Sequence, residues 1–247
     1  MSKVTIIFGK RGTGKTALNA CFALKSMLDR QRFLSCSEVL NIMGLENLIK
    51  TMPFKHCTYA NFDLKNTFGS ERYFVDPFKM LMPNENLDYD IFLPCASFHI
   101  MEGQIYWNSK YKLNPYSTAF IENSRHNDFD IFIDVQRPKK IHLDIREIAD
   151  TFITILNLGF EYNEQGKIKK CIWNCLEFDD YSLVEEYILT KKKELGIETT
   201  YEFNGCIFDY YDSKNNRSLF YNSYKTITLN TSGTSEVSAP DGYYLSK

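Results

Sequence analysis

Residues 9–16 read GKRGTGKT, a run that matches the pattern G-x-x-x-x-G-K-[ST] at every fixed position. Its glycines allow the backbone to turn tightly enough for successive N–H groups to face a phosphate. Lys15 would reach the β- and γ-phosphates, and the Thr16 hydroxyl would bind Mg²⁺. The motif therefore predicts ATP and Mg²⁺ binding by a phosphate loop made of Gly9, Lys10, Arg11, Gly12, Thr13, Gly14, Lys15 and Thr16.

Hydrolysis at such a loop also needs a carboxylate at the end of a second strand, and two segments compete for that role. Residues 96–102 read ASFHIME and end in Glu102, but Met101 stands where an Asp is usual. Residues 130–136 read DIFIDVQ, with a better apolar run before Asp134 but with Val135 and Gln136 after it. The pattern alone leaves both alternatives open.

The elements that position these residues alternate between apolar strands and helical stretches in the first part of the chain. Val4–Phe8 is apolar and β-branched, as in a strand buried on both faces, and it leads directly into the phosphate loop. The residues that follow are rich in Ala, Leu, Met and Lys, which predicts a helix. Helices are expected over 17–30, 35–51 and 116–123, and strands over 56–62, 96–101 and 130–136.

The second part of the chain predicts antiparallel structure. Two β-prone runs, 152–162 and 169–178, flank a turn that contains Gly166, which indicates a hairpin. Residues 141–149 are ambiguous, 182–195 predict a polar helix that ends at Gly196, and the aromatic segment 201–224 is expected to pack on the core.

Together these elements predict an α/β fold of the P-loop NTPase type. Its central sheet is mainly parallel and flanked by helices, and an antiparallel hairpin is added at the edge. The ATPase domain is expected over 1–227, with its core at about 1–160 and its hairpin and C-terminal additions at about 161–227. The Ser/Thr/Gly-rich residues 228–247 are expected to form a flexible tail.

Composition limits the choice of partners and compartment. The net charge is -2 and the pI about 6.1. Any DNA binding must therefore depend on a local basic patch or on the pore of a ring rather than on the overall charge. Seven scattered cysteines without zinc-site spacing indicate buried, reduced thiols. Without a signal peptide or an apolar run long enough to span a bilayer, the chain is expected to be soluble and cytoplasmic.

Several short segments, in the same order over roughly residues 3–213, resemble zonula occludens toxin-like (Zot) ATPase domains, the family that includes filamentous-phage assembly ATPases. IMEGQ at 100–104 is similar to the family's I-D-E-A-Q, and SRHNDFDIFIDVQ at 124–136 to its R-H-x-x-x-D-I-x-x-x-x-Q. Weaker matches are YAN at 59–61, IRE at 145–147 and YD-[ST] at 211–213. The family belongs with the FtsK/HerA-type motors, which include viral DNA-packaging enzymes.

The resemblance implies roles for four residues. Glu102 would be the catalytic carboxylate that orients water, and Gln136 the sensor of the γ-phosphate. Arg125 would be an arginine finger that reaches a neighbouring subunit's nucleotide, with Arg146 the alternative. Because Met101 departs from the family pattern, either hydrolysis is weak or Asp134 supplies the missing metal-binding carboxylate.

The resemblance further implies a ring-forming ATPase that moves viral or mobile-element DNA, working with a capsid or export-complex protein. Filamentous-phage ATPases carry a membrane anchor that is absent from this sequence, which favours a soluble motor of the host cytoplasm or the virion. Three basic clusters, at 139–140, 167–170 and 191–193, are candidates for a DNA pore, although solvated faces are the default. The competing hypotheses are a small-molecule kinase and a nucleotide-gated assembly protein that does not hydrolyse ATP.

Overall fold

A computed structural model describes residues 3–42, 57–62, 64, 72–74, 96–113 and 115–211. In these ranges eight strands form one sheet in the order β3-β2-β4-β5-β1-β6-β7-β8. The strands are β1 Val4–Phe8, β2 Cys57–Ala60, β3 Arg72–Phe74, β4 Ala96–Ile100, β5 Asp130–Val135, β6 Thr151–Tyr162, β7 Ile168–Phe178 and β8 Ile197–Asn204. The helices are α1 Lys15–Ile42, α2 Pro115–Glu122, α3 Leu143–Ile148, α4 Tyr181–Thr190 and α5 Ile207–Tyr210, with 3-10 turns at Gly103–Ile105, Pro138–Lys140 and Lys193–Leu195.

The first six strands run parallel, and the last two are antiparallel additions. β1 lies between β5 and β6, and β4 pairs with β5 on the outer side. β6, β7 and β8 form an antiparallel meander at one end of the sheet. The predicted fold class, a mainly parallel sheet with an antiparallel edge hairpin, is confirmed. Because β1, β4 and β5 are parallel, their last residues meet at one edge, called the carboxyl edge below; their first residues define the amino edge.

Two hydrophobic clusters cover the two faces of the sheet, and the strand alternation assigns each residue to a face. Ile6, Ile133 and Ile100 belong to the cluster under α2, α3 and α4. Ile7 and Ile153 belong to the cluster under α1. This double coverage explains the almost uniformly apolar sequence of β1.

The β6–β7 hairpin is longer than the parallel strands beside it. Phe8, the last residue of β1, pairs with Thr154, whereas β6 continues to Tyr162. The eight additional residues correspond to roughly 26 Å of strand. The hairpin therefore rises beyond the carboxyl edge, next to the phosphate loop.

Three predictions about the helices and strands are wrong. The predicted helices at 17–30 and 35–51 are one continuous helix through Ile42 in the described part. The helix expected to reach residue 195 ends at Thr190, because Lys191 takes a left-handed conformation and its N–H closes on Tyr187 O. Residues 197–204 form a strand that the sequence did not predict.

The predictions for 43–51, for 212–224 and for the tail at 228–247 lie outside the described residues. Within the described residues, none of the helices is long and apolar enough to cross a bilayer.

Candidate nucleotide site at the carboxyl edge

The phosphate loop joins the end of β1 to the start of α1, as its sequence predicts. Gly9, Gly12 and Gly14 all have positive φ, at 146°, 80° and 87°. These conformations are strained for residues with a Cβ, so the backbone requires glycine at the two fixed positions, Gly9 and Gly14, and also at Gly12. The loop ends in the N-terminus of a 28-residue helix, whose unpaired N–H groups favour an anion.

The Lys15 side chain is folded back into the loop. Its Nζ donates a hydrogen bond to Lys10 O at 2.9 Å, and the residue is only 7% exposed. Burial lowers the pKa of Lys15, whereas the negative charges of Asp134 and Glu102 counteract that shift. The Lys15 ammonium therefore lies inside the phosphate loop and interacts electrostatically with both candidate carboxylates, Asp134 and Glu102.

Asp134 lies on the α1 face at the end of β5, directly beside Ile7 of β1. It is 1% exposed; its Oδ1 accepts a 2.9 Å bond from Glu102 N. Burial raises the pKa of Asp134 to about 6, against the opposing effects of the Glu102 amide, the Lys15 charge and the Thr16 hydroxyl. Its Oδ2 is buried and has no hydrogen-bond partner among the described residues.

Glu102 follows β4 in a left-handed conformation, with φ 55° and ψ 43°. Its carboxylate accepts bonds from the side-chain amide of Gln104 and from that of Gln136, the latter at 3.2 and 3.4 Å. Gln104 Oε1 in turn accepts from Gln136 N at 3.2 Å. The structure therefore brings Glu102 and Gln136 together, as the sequence matches require, and adds Gln104 to them.

Met101 cannot substitute for an acid, and its backbone is fixed by Asn61. Asn61 Oδ1 accepts from Met101 N at 2.6 Å, and Asn61 Nδ2 donates to Met101 O at 3.0 Å. The Met101 side chain packs against the cluster under α1. Sequence reasoning assigned no role to Asn61 or Gln104, although both lie in segments that carry the family resemblance.

The residues at this edge fit a Mg²⁺–nucleotide complex. Asp134 Oδ2, which has no hydrogen-bond partner in the described ranges, is a hard oxygen donor beside Thr16, and Mg²⁺ prefers such ligands together with phosphate oxygens. Left without a ligand, a buried and unpaired carboxylate oxygen is costly. Both carboxylate alternatives from the sequence thus lie in one site, with Asp134 near Thr16 and Glu102 on the outer side.

The two arginine candidates lie away from this site. Arg125 Nη2 pairs with Asp150 Oδ1 at 2.8 Å, and Asp150 Oδ2 accepts from Val4 N, which places Arg125 at the amino edge. Its side chain is 71% exposed. Arg146 lies on α3 with its guanidinium 4.4 Å from the centroid of the Tyr181 ring. Neither arginine reaches the phosphate loop of its own chain.

The basic clusters do not form one surface. Lys167 and Lys169 lie at the tip of the hairpin, beyond the carboxyl edge, and Lys170 pairs with Glu202. Residues 191–193 follow α4 at the other end of β7. Lys139 pairs with Glu185 at 3.3 Å. Separate solvated faces describe these clusters better than a continuous stripe.

The hairpin contacts the phosphate loop in a way that no sequence pattern indicated. A Cβ on Gly14 would stand 3.1 Å from both Leu158 Cδ2 and Trp173 Nε1. Trp173 is fully buried, and its indole N–H has no partner among the described residues. The pairing of Leu158 with Trp173 across β6 and β7 is a long-range register that local sequence cannot specify.

A glycine-rich loop between the first strand and helix of a parallel sheet, with Glu102 and Gln136 on the next two strands, defines a P-loop NTPase fold. No known family's sequence pattern matches the chain, and neither does any curated protein. In structure it is similar to the N-terminal domain of zonular occludens toxin from Neisseria meningitidis, with 16% identity and a TM-score of 0.48. That match covers 86% of this chain and 100% of that one.

Two viral proteins are also similar in structure. The genome packaging NTPase B204 from Sulfolobus turreted icosahedral virus 2, in complex with ATP-gammaS, is 13% identical, with 73% and 93% coverage of this chain and that one, and a TM-score of 0.39. B204, the DNA-packaging ATPase from Sulfolobus turreted icosahedral virus, is 13% identical over the same shares, with a TM-score of 0.41. The predicted resemblance is confirmed as a similarity of fold; such low identities and TM-scores assign no role to any residue.

Proposed function

We propose that this chain is an ATPase that hydrolyses ATP at the carboxyl edge of its sheet. The observation that carries the proposal is the convergence of Lys15, the free oxygen of Asp134 and the Glu102–Gln136 pair at the ends of three neighbouring strands. The phosphate loop by itself supports only phosphate binding. The carboxylate and its amide partners provide a means of activating water beside that loop.

Phosphate binding falls to the loop and to Lys15. Lys15 Nζ donates a hydrogen bond to Lys10 O. When a nucleotide binds, a β- or γ-phosphate oxygen would replace this carbonyl oxygen as the acceptor. A phosphate is the stronger partner because both groups are charged. The loop N–H groups and the helix N-terminus offset the remaining negative charge.

Thr16 and Asp134 would hold Mg²⁺, Thr16 through its hydroxyl and Asp134 through Oδ2. When bound, the ion neutralises charge on the β- and γ-phosphate oxygens. Asp134 also fixes Glu102, since its Oδ1 accepts the Glu102 N–H. Asp134 thereby supplies the carboxylate that Met101 lacks.

Glu102 would accept a hydrogen bond, and then a proton, from a water molecule that lies in line with the γ-phosphate. The side-chain amides of Gln104 and Gln136 donate hydrogen bonds to its carboxylate and thereby orient it. Gln136 would exchange its hydrogen bond with Glu102 for one with the γ-phosphate. Nucleotide binding would thereby change the hydrogen bonding of the Glu102 carboxylate.

We further propose that the chain works in an oligomeric ring in which Arg125 completes a neighbour's site and in which ATP hydrolysis moves viral or mobile-element DNA. The exposure of Arg125 and its distance from its own loop support a role in trans. The partner would be a capsid or export-complex protein, and the setting the host cytoplasm or the virion. These finer assignments rest on the sequence resemblance.

The test is steady-state ATP turnover of the purified full-length chain with and without double-stranded DNA, alongside its mass in solution with nucleotide. The proposal predicts turnover by an oligomer that rises when DNA is added. Tight ATP binding without turnover would instead support a nucleotide-gated assembly protein. Turnover that requires a small-molecule phosphate acceptor would support a kinase.

A further inference from the structure

The orientation of a bound nucleotide follows from the positions of the catalytic groups, if the proposed function holds. Glu102 and Gln136 lie on the β4–β5 side of β1. A γ-phosphate that is attacked there must point to that side. Because the triphosphate is a linear chain held across the loop, its nucleoside end must leave on the opposite side, where β6 and β7 lie.

The β6–β7 hairpin forms a wall on that opposite side. Leu158 and Trp173 pair across it and touch Gly14 on the face that α1 covers. From a fully buried position Trp173 directs at the loop an indole N–H that has no hydrogen-bond partner within the described part of the chain. The wall is therefore already in contact with the phosphate loop and continues beyond it.

Beyond the loop the wall carries the aromatic side chain of Phe160, and helix α5 sets the ring of Phe208 beside it. Phe160 is two residues past Leu158 on the same face, roughly 7 Å farther along the strand. Its ring lies 6.1 Å from that of Phe208, and each residue is 39% exposed. Both rings would be better buried against a flat apolar partner.

We propose that Phe160 and Phe208 form the nucleoside site, on which the base of the bound nucleotide stacks. This assignment rests on the proposed function, since it takes the direction of the triphosphate from Glu102 and Gln136. Aromatic stacking recognises the face that every base shares, so the site would take nucleotides of any base without strong preference. The loop and Lys15 bind the phosphates, and Phe160 of the hairpin together with Phe208 of α5 binds the base.

The experiment compares two ligands that share phosphates but not a base. Calorimetric titrations with Mg²⁺–ATP and with inorganic tripolyphosphate plus Mg²⁺ are run on the parent, Phe160→Ala and Phe208→Ala. Leu189→Ala serves as the control, because it removes an exposed apolar side chain from α4, away from the loop. We expect each phenylalanine variant to bind ATP about tenfold more weakly, with tripolyphosphate affinity unchanged and the control equal to the parent.

Two results would overturn the inference while the proposed function stands. One is unchanged ATP affinity in both phenylalanine variants. The other is an equal loss for ATP and for tripolyphosphate, since this would mean that the hairpin supports the loop rather than the base. A parent that binds neither ligand would overturn the proposed function and this inference with it. Phe160→Tyr, which keeps a stacking ring, is expected to retain ATP affinity and separates stacking from folding damage.

Discussion

Asp134 lies near the end of β5, where its carboxylate interacts with Lys15 and Thr16 of the phosphate loop. Strand alternation sends Ile133 and Val135 to the face under α2 and α3, and Asp134 to the α1 face beside Lys15 and Thr16. On the next strand, β4, the same alternation brings Met101 to the α1 face, where its side chain packs with apolar neighbours. In this chain the carboxylate that interacts with Thr16 therefore lies on β5, whereas the residue after β4 on the same face is apolar.

This arrangement predicts unequal effects of two alanine substitutions. Asp134→Ala removes both the oxygen available to Mg²⁺ and the acceptor for Glu102 N, so Mg²⁺-dependent turnover should fall by about 10–100-fold. Met101→Ala removes only an apolar side chain and should leave turnover within a few-fold of the parent. Turnover measured against Mg²⁺ concentration checks the comparison. Small and equal effects of the two substitutions would show that Asp134 does not compensate for Met101.

The candidate site could be predicted only in part at this scale. The phosphate loop follows from a local pattern, because its glycines and Lys15 act through adjacent backbone. Glu102 and Asp134 looked like alternatives, since each follows an apolar strand. The structure makes them partners, because the sheet order puts β4 beside β5 and the Glu102 N–H within 2.9 Å of Asp134.

A buried polar contact ties helix α1 to strand β4 below the site. His99 Nδ1 bonds with Asn19 Oδ1 at 2.8 Å, and Asn19 Nδ2 donates to Ile100 O at 3.4 Å. The His99 ring also stacks on Phe132 at 4.8 Å between centroids. Burial lowers the pKa of His99 to about 3, with the Asn19 bond acting in the opposite direction, so the ring stays neutral in the fold.

This contact predicts a loss of stability in mild acid. The unfolded chain protonates His99 near pH 6.5 and the folded chain only near pH 3, so the unfolded state binds more protons between these values and the stability falls as pH drops. From pH 7 to pH 5, His99 alone should lower the free energy of unfolding by about 2 kcal/mol. Urea unfolding of the parent and of His99→Gln at both pH values isolates this share, because the contributions of other groups, Asp134 included, cancel.

His126, which is exposed, provides the control for that experiment. His126→Gln should keep the pH dependence of the parent, whereas His99→Gln should lose the part that His99 contributes. Equal pH dependence in all three proteins would mean that His99 is not held neutral in the folded chain.

Elements with a strong local signature were predicted, and those fixed by tertiary contacts were not. The hairpin has two β-prone runs around a turn, so its position follows from sequence. β8 reads ETTYEF in its interior, with exposed residues alternating along it, and it is a strand because it pairs with β7. Helix α4 ends at Thr190 because Lys191, a non-glycine residue, takes a left-handed conformation, which no composition rule anticipates.

On the scale of the whole molecule, the candidate nucleotide site and Arg125 lie at opposite edges of the sheet. The phosphate loop, Glu102 and Gln136 are at the carboxyl edge, whereas Arg125 is exposed at the amino edge. If Arg125 acts as proposed, a complete site needs residues from two copies of the chain. If the chain binds DNA as proposed, the net charge of -2 and the separation of the lysine clusters among the described residues favour a contact shared by several subunits.

The central claim is that this edge hydrolyses ATP with Glu102 as the catalytic carboxylate. The most direct measurement is ATP turnover at saturating Mg²⁺–ATP by the parent and by Glu102→Gln, with ATP affinity measured in parallel. Because glutamine keeps the size and amide contacts but cannot accept a proton, turnover should fall by about 10²–10⁴-fold while affinity stays within a few-fold. Turnover by Glu102→Gln at the parental rate, or a parent that binds ATP and never hydrolyses it, would contradict the account.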